Sequence, residues 1–219
     1  MDAFVEPFPE LVTPAGADDP LGEGVRDPRH RGLRVYEPQR TCVVIGRAQD
    51  PYRELQVAAC AADGVPVHRR CTGGGAVVLA PGMVVVALRL AGGLHPSSQW
   101  FSLINPALSA AVRAAGGPPL TTQGHGDLAV IEEVGRPRKV LGASLRQGRL
   151  CTLYLGVFLV ADAAHLMERY LAHPSREPAY RQGRRHRDFC TALDRYGVRV
   201  AELIGRLEQG LAALIDQAP

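Results

Sequence analysis

Two stretches of the chain place reactive or ligand-holding residue types at short spacing. The first is Arg69-Arg70-Cys71-Thr72-Gly73-Gly74-Gly75-Ala76-Val77-Val78. Three consecutive glycines are costly in backbone entropy. They are tolerated where backbone must approach something closely or take a positive φ, and successive bare N–H groups can then form a concave anion site. Two adjacent arginines supply the charge that a phosphate or carboxylate needs. The plainer alternative is a surface turn with incidental arginines, but a long flexible turn is wasteful between two apolar segments. Neither GxxxxGK[ST] nor GxGxxG occurs, so the common nucleotide-loop signatures are absent.

The second stretch is Arg138-Lys139-Val140-Leu141-Gly142-Ala143-Ser144. Its lysine is the only one in the chain, set against 24 arginines. The two residue types are equivalent on a solvated surface but not in a site. A compact ammonium on a flexible stem can follow a phosphoryl oxygen or an acyl carbonyl where a planar fork would clash. On a regular strand Lys139, Leu141 and Ala143 share one face, with Val140, Gly142 and Ser144 on the other. That leaves the amine partly desolvated unless it meets an anion; the alternative is an edge lysine reaching out to solvent.

Other reactive groups are scattered. The five cysteines, Cys42, Cys60, Cys71, Cys151 and Cys190, are odd in number and form no CxxC pair, so neither a disulfide framework nor a zinc site is expected. Reduced thiols fit a cytoplasmic chain. Arg69 and Arg70 beside Cys71 would lower its pKa, but its first reading is a small filler. Cys151 reads as packed on an apolar strand and Cys190 as lying beside a terminal helix. The seven histidines show no metal-ligand spacing, and His68 and His125 read as structural or solvated.

The elements that must position these groups follow from periodicity. Residues 1–30 read as an irregular lead-in with a helical turn near 18–25. Strands are predicted at 33–36, 41–46, 65–69, 76–79 and 83–90, and three more at 127–134, 138–146 and 149–160 form a meander of hairpins. The nearly continuous apolar runs at 76–79 and 83–90 imply a sheet covered on both faces. Helices are predicted at 51–62, 100–115, 162–171 and 198–215. The order lacks strict β-α-β alternation, which argues for one α+β domain with a mixed sheet over residues 31–219.

Composition agrees: 46% apolar and 21% charged residues suit a globular domain with a sizeable core. The longest apolar run, 83–88, is too short to span a bilayer, and the acidic N-terminus is unlike a secretory signal. The net charge of +3 comes with no basic tail, RNP motif or zinc-finger spacing, so neither nucleic acid nor membrane is an expected partner. The run Arg184-Arg185-His186-Arg187 reads as a solvated face before a phosphate or acidic-partner contact.

Taken together the motifs resemble the biotin/lipoate protein ligase and octanoyltransferase superfamily, most of all its lipoate–protein ligase catalytic domain. Arg69 to Val77 is similar to an RRxSGGGAV signature, Gly126-Asp127-Leu128 to an N-D-[LI] element, and Lys139 to Ser144 to a K-[IV]-x-G-[SA]-[SA] element. Leu33 to Pro38 followed by Cys42 to Arg47 looks like the strand pair before the ligand pocket, and Asp188 to Leu193 is similar to a closing R-V-T-N-L segment. The resemblance spans residues 33–205, and agreement in order and spacing across several motifs is what makes it specific.

The resemblance implies an α+β domain with a mixed or antiparallel sheet packed by helices, of the class II aminoacyl-tRNA-synthetase and biotin-ligase kind. It implies an enzyme that activates lipoate or octanoate with ATP and transfers the acyl group to a lysine of a lipoyl carrier. That carrier is a domain of 2-oxoacid dehydrogenases or the glycine-cleavage H protein. Arg70 and the backbone of Gly73, Gly74, Gly75, Ala76, Val77 and Val78 would hold the adenylate phosphate, with Asp127 and Gly142 in the same pocket. Lys139 would be the catalytic residue, touching acyl carbonyl and phosphate. There are departures. Leu79-Ala80-Pro81-Gly82 replaces an H-D pair, which bears on Mg²⁺ handling. Tyr154-Leu155-Gly156 lacks the histidine of an H-G pair, and Gly126 replaces an asparagine. Two alternatives stand beside the ligase: a transferase with a nucleophilic cysteine, and a lipoyl-domain-binding module without catalysis. The chain ends at Pro219 with no separate accessory domain expected, which leaves room for a partner subunit.

Overall fold

The computed structural model describes the backbone of residues 12–13 and residues 19–132 and 135–219. Most of the predicted lead-in therefore lies outside the described residues, as does the end of the strand predicted at 127–134. Of the predicted helical turn at 18–25, a 3₁₀ turn is seen at Glu23–Arg26.

Among the described residues ten strands make two sheets. The smaller joins β1 (Val12–Thr13), β4 (Val67–Arg69), β3 (Cys42–Ile45) and β5 (Val77–Leu79) in that order, the first two pairs parallel and the last antiparallel. The larger is antiparallel and runs β2 (Leu33–Tyr36), β6 (Met83–Ala91), β10 (Cys151–Leu159), β9 (Pro137–Gln147), β8 (Asp127–Ile131) and β7 (Thr121–Gln123). The α+β class and the mixed and antiparallel pairing agree with the sequence reading, as does the β8–β9–β10 meander.

Alternation along β6 explains the layering. Met83, Val85 and Ala87 face the small sheet, together with Leu153, Leu155 and Val157 of β10. Val84, Val86, Leu88 and Leu90 face the opposite way, onto Trp100, Ile104 and Leu108 of α3 (Ser97–Ala114) and onto Leu203, Leu207 and Leu211 of α6 (Val200–Leu211). Both faces of β6 are dry, and a continuous apolar run is what such a strand requires.

Two predicted elements changed. The helix expected at 51–62 is two short ones, α1 (Pro51–Glu54) and α2 (Val57–Ala62). Between them Leu55 leaves helical geometry to bridge Leu171, beyond α4 (Ala164–Tyr170), and the Gln56 N–H reaches the Tyr170 carbonyl. A tertiary contact overrides local helical spacing there. Strands 33–36 and 41–46, read as neighbours across a tight turn, enter different sheets. The same is true of β5 and β6. These crossings bring the loop between β4 and β5 over the far end of β9.

Candidate functional site

The glycine loop joins β4 to β5 and is shaped from beneath by Arg70. That side chain is only 6% exposed. Its Nε donates to Thr72 Oγ1 at 2.9 Å and its Nη2 donates to the carbonyls of Gly73 and Gly75, both at 2.7 Å. The peptides of this loop are trans, so a carbonyl drawn inward turns the following N–H outward. Arg70 therefore points the N–H groups of Gly74 and Ala76 away from the protein. Among the described residues the N–H groups of Gly73, Gly74 and Gly75 have no acceptor, and all three residues are exposed.

The glycines differ in why they are needed. Gly74 sits at φ 91°, where a side chain is strained. Gly46 packs directly on the Gly74 carbonyl, and a Cβ there would overlap it. A Cβ on Gly73 or Gly75 would meet nothing within 4 Å. The fold gives no internal steric reason for glycine at those two positions. Burial pushes the Arg70 guanidinium down to about 10, so it remains a cation at neutral pH. Among the described residues it has no carboxylate in contact. A charge so placed, under outward N–H groups, makes the loop attractive to anions. Arg69 works in the same manner on the adjoining loop: its Nη1 donates to the carbonyls of Gly46 and Gln49 at 3.1 and 2.8 Å.

β9 carries the second half of the site, and here strict alternation fails. Leu128 pairs with Leu141 while Ala129 pairs with Lys139, so Val140 is an extra residue, a bulge. Val140 and Leu141 are consequently both buried on the α3 side. The expected grouping of Lys139 with Leu141 and Ala143 is thereby corrected. Lys139 shares its face with Gly142, on which a Cβ would come within 2.8 Å of the Lys139 Nζ. Two residues further along that face, Ser144 shares a 2.8 Å hydrogen bond with Thr72 of the glycine loop. The two motifs singled out in the sequence thus meet along one strand face.

Lys139 is 24% exposed at its side chain, and its Nζ lies 2.9 Å from Asp127 Oδ1. The other oxygen of Asp127 accepts a 2.8 Å hydrogen bond from the Tyr180 hydroxyl. Burial, then Asp127, pushes the Tyr180 phenol well above its usual value, so it acts as a donor. Sequence reasoning missed Tyr180, which reaches the site from the polar stretch before α5 (His186–Phe189). Gly126, at the asparagine position, is fixed by packing: any Cβ would run into the Phe101 ring.

The cysteines are placed as follows. Cys71 is half-buried; burial and then Glu23 push its thiol up, the reverse of the lowering expected from Arg69 and Arg70. Those arginines face loop carbonyls, while the Glu23 carboxylate accepts the Cys71 N–H at 2.7 Å. Cys190 is not merely beside a helix. It forms a parallel bridge to Lys139 at the end of α5, and burial pushes its thiol up against the opposing pull of the Lys139 ammonium. Among the described residues no three His, Cys, Asp or Glu side chains converge as metal ligands, and no helix is long and apolar enough to cross a membrane.

Residues 16–212 match the family of lipoyl protein ligase A/B catalytic domains, and the chain belongs to it. Three solved structures share the fold. The bipartite lipoate protein ligase of Thermoplasma acidophilum, described with its E2 lipoyl domain, is 22% identical with a TM-score of 0.71, covering 85% of this chain and 72% of that one. A T. acidophilum protein described as a lipoate protein ligase with bound lipoic acid is 20% identical with a TM-score of 0.68, covering 85% and 74%. A lipoate-protein ligase A bound with ATP is 20% identical with a TM-score of 0.72, covering 95% and 85%.

Proposed function

We propose that this chain is a lipoate–protein ligase: it activates lipoate or octanoate with ATP and passes the acyl group to a lysine of a lipoyl carrier. The observation that carries this reading is the meeting of an outward-facing N–H loop with the chain's only lysine on one face of β9. Relatives bound to lipoic acid and to ATP support the two ligands. The T. acidophilum ligase and its E2 lipoyl domain support the carrier, and its bipartite make-up supports a partner subunit.

In this reading the acid's carboxylate attacks the α-phosphorus of ATP and pyrophosphate leaves. The N–H groups of Gly73 to Ala76 take the phosphate oxygens, with Val77 and Val78 anchoring that segment in the small sheet. Lys139 spans phosphate and acyl carbonyl. The carrier amine then attacks the carbonyl, the new amide bond forms, the anhydride bond breaks and AMP leaves, with Lys139 stabilising the charge that develops. Arg70 acts from below, by shaping the loop, rather than as a direct phosphate ligand. Asp127 is taken up by Lys139 and Tyr180.

The test is intact-mass analysis of an apo-lipoyl domain incubated with the protein, lipoate, ATP and Mg²⁺. One lipoyl adduct that requires ATP, with release of AMP, is expected. Carrier binding with neither adduct nor AMP would overturn the reading and leave a binding module.

One contact favours a second reading. Cys190 pairs with Lys139 across a backbone bridge, where its thiol, once deprotonated, could take an acyl group from a donor carrier as a thioester and yield it to the acceptor lysine. An ATP-independent adduct on the carrier, with a thioester trapped on Cys190 and lost in Cys190→Ser, distinguishes this transferase from the ligase.

A further inference from the structure

Tyr180 is a residue that no motif announces. It stands in the 3₁₀ turn Ala179–Arg181 and reaches Asp127 across 53 positions of sequence. The two carboxylate oxygens are divided between partners: Oδ1 faces the Lys139 ammonium at 2.9 Å and Oδ2 accepts from the Tyr180 hydroxyl at 2.8 Å. A carboxylate with one partner can turn about its last bond; one with two, at opposite oxygens, has a fixed plane. The lysine stem crosses Gly142, which offers no side chain to pack against, so the stem gains no guidance from below.

The phenol is itself held firmly. Its ring lies 5.0 Å from that of Phe189, and Gly124, at φ 56°, lets the β7–β8 turn close over it. Arg184 ties the backbone of this turn to the lysine's own strand. Its Nη2 donates to the Tyr180 carbonyl at 2.7 Å and its Nη1 to the Pro137 carbonyl of β9 at 3.0 Å. On the other side the Thr191 N–H donates to the Lys139 carbonyl at 2.9 Å. Packing alone would be served by phenylalanine, without the cost of burying a hydroxyl. Among the described residues the one hydrogen bond the Tyr180 hydroxyl makes is to Asp127.

We propose that Tyr180 is a positioning residue, which sets the place and direction of the Lys139 amine by fixing the plane of Asp127. This deepens the ligase reading and rests on it for what Lys139 does. The experiment reads the amine itself. Because Lys139 is the only lysine, acetic anhydride applied to the whole protein at one pH reports on it alone, through the mass of the peptide that contains it. In Tyr180→Phe the freed carboxylate shields the amine less, and labelling speeds up by about three- to tenfold, the scale of one hydrogen bond. Asp127→Asn speeds it at least as much, and Tyr180→Phe adds nothing in the Asp127→Asn background. Acyl transfer by Tyr180→Phe falls in kcat by a similar factor, with KM for ATP held. Unchanged labelling in Tyr180→Phe, or the same increment in both backgrounds, overturns the proposal and leaves a packing role. If labelling responds as stated and no transfer is seen in the wild type, the ligase reading fails and Tyr180 still positions Lys139. If transfer is ATP-dependent and labelling does not respond, the proposal alone fails.

Discussion

The glycine loop and the β8–β9 hairpin each present a cation to the site, and they hold it in opposite ways. Arg70 lies under its loop, 6% exposed, with its donors on neutral oxygens. Lys139 is 24% exposed and held by a carboxylate that a phenol fixes in turn. A buried fork that spends its hydrogen bonds on backbone is scaffold: moving it would leave carbonyls unpaired in a dry place. An ammonium that is partly exposed and has one charged partner can exchange that partner for a ligand. Under the function proposed above, the difference separates the residue that shapes the site from the one that meets the reactants.

Substitutions can break this contrast, and the largest effect is expected at Lys139. Lys139→Ala should cost at least ~100-fold in acyl transfer, as for removal of one preorganised donor, with little change in Tm because no core packing is lost. A fall in Tm matching the loss of rate would place Lys139 with the scaffold.

Arg70→Lys should show the reverse pattern. Loss of the fork leaves loop carbonyls unsatisfied, and stability measured by denaturant unfolding should drop by about 1–3 kcal/mol. Nucleotide affinity should weaken with it, since the loop no longer turns its N–H groups outward. Unaltered stability with weaker ATP binding would make Arg70 a direct phosphate ligand after all.

Gly46→Ala sharpens the same point from the loop's other side. The added Cβ overlaps the Gly74 carbonyl, and an overpacking cost of about 1–3 kcal/mol is expected, with the loop displaced. A Gly73→Ala control has open space to fill and should leave stability alone; only ligand binding should notice it. Equal stability loss in both would mean that Gly73 is not facing a ligand.

Cys71→Ser is the smallest. Its thiol is pushed up by burial and Glu23, which makes it a poor nucleophile at neutral pH, so transfer should stay within about twofold of wild type. Abolished transfer would return Cys71 to the role of nucleophile.

The sequence reading reached the two motifs because both are local: a glycine run flanked by arginines, and a lone lysine before a small residue. The nearly continuous apolar run at 83–90 also foretold the two dry faces of β6. What it could not show was set by partners distant in the chain. The bulge at Val140 follows from the register of β8 on β9, and it turns Lys139 to the face of Gly142 and Ser144. The break between α1 and α2 follows from Leu171. Tyr180 is joined to Asp127 only by folding; its one sequence signal was a tyrosine, with Phe189 after it, in an otherwise polar stretch. Arg70 was legible as important, but its direction was not: from sequence a fork beside three glycines looks outward, and in the fold it looks in.

The most direct measurement is the Lys139→Arg protein assayed beside the wild type for ATP-dependent lipoyl adduct on an apo-lipoyl domain, with Tm recorded for both. Arginine serves at every other basic-chain position, so a merely solvated Lys139 would tolerate the change. The account predicts a loss of at least ~100-fold with Tm held, because a planar guanidinium does not fit between acyl carbonyl and phosphate. Full transfer by Lys139→Arg would contradict it.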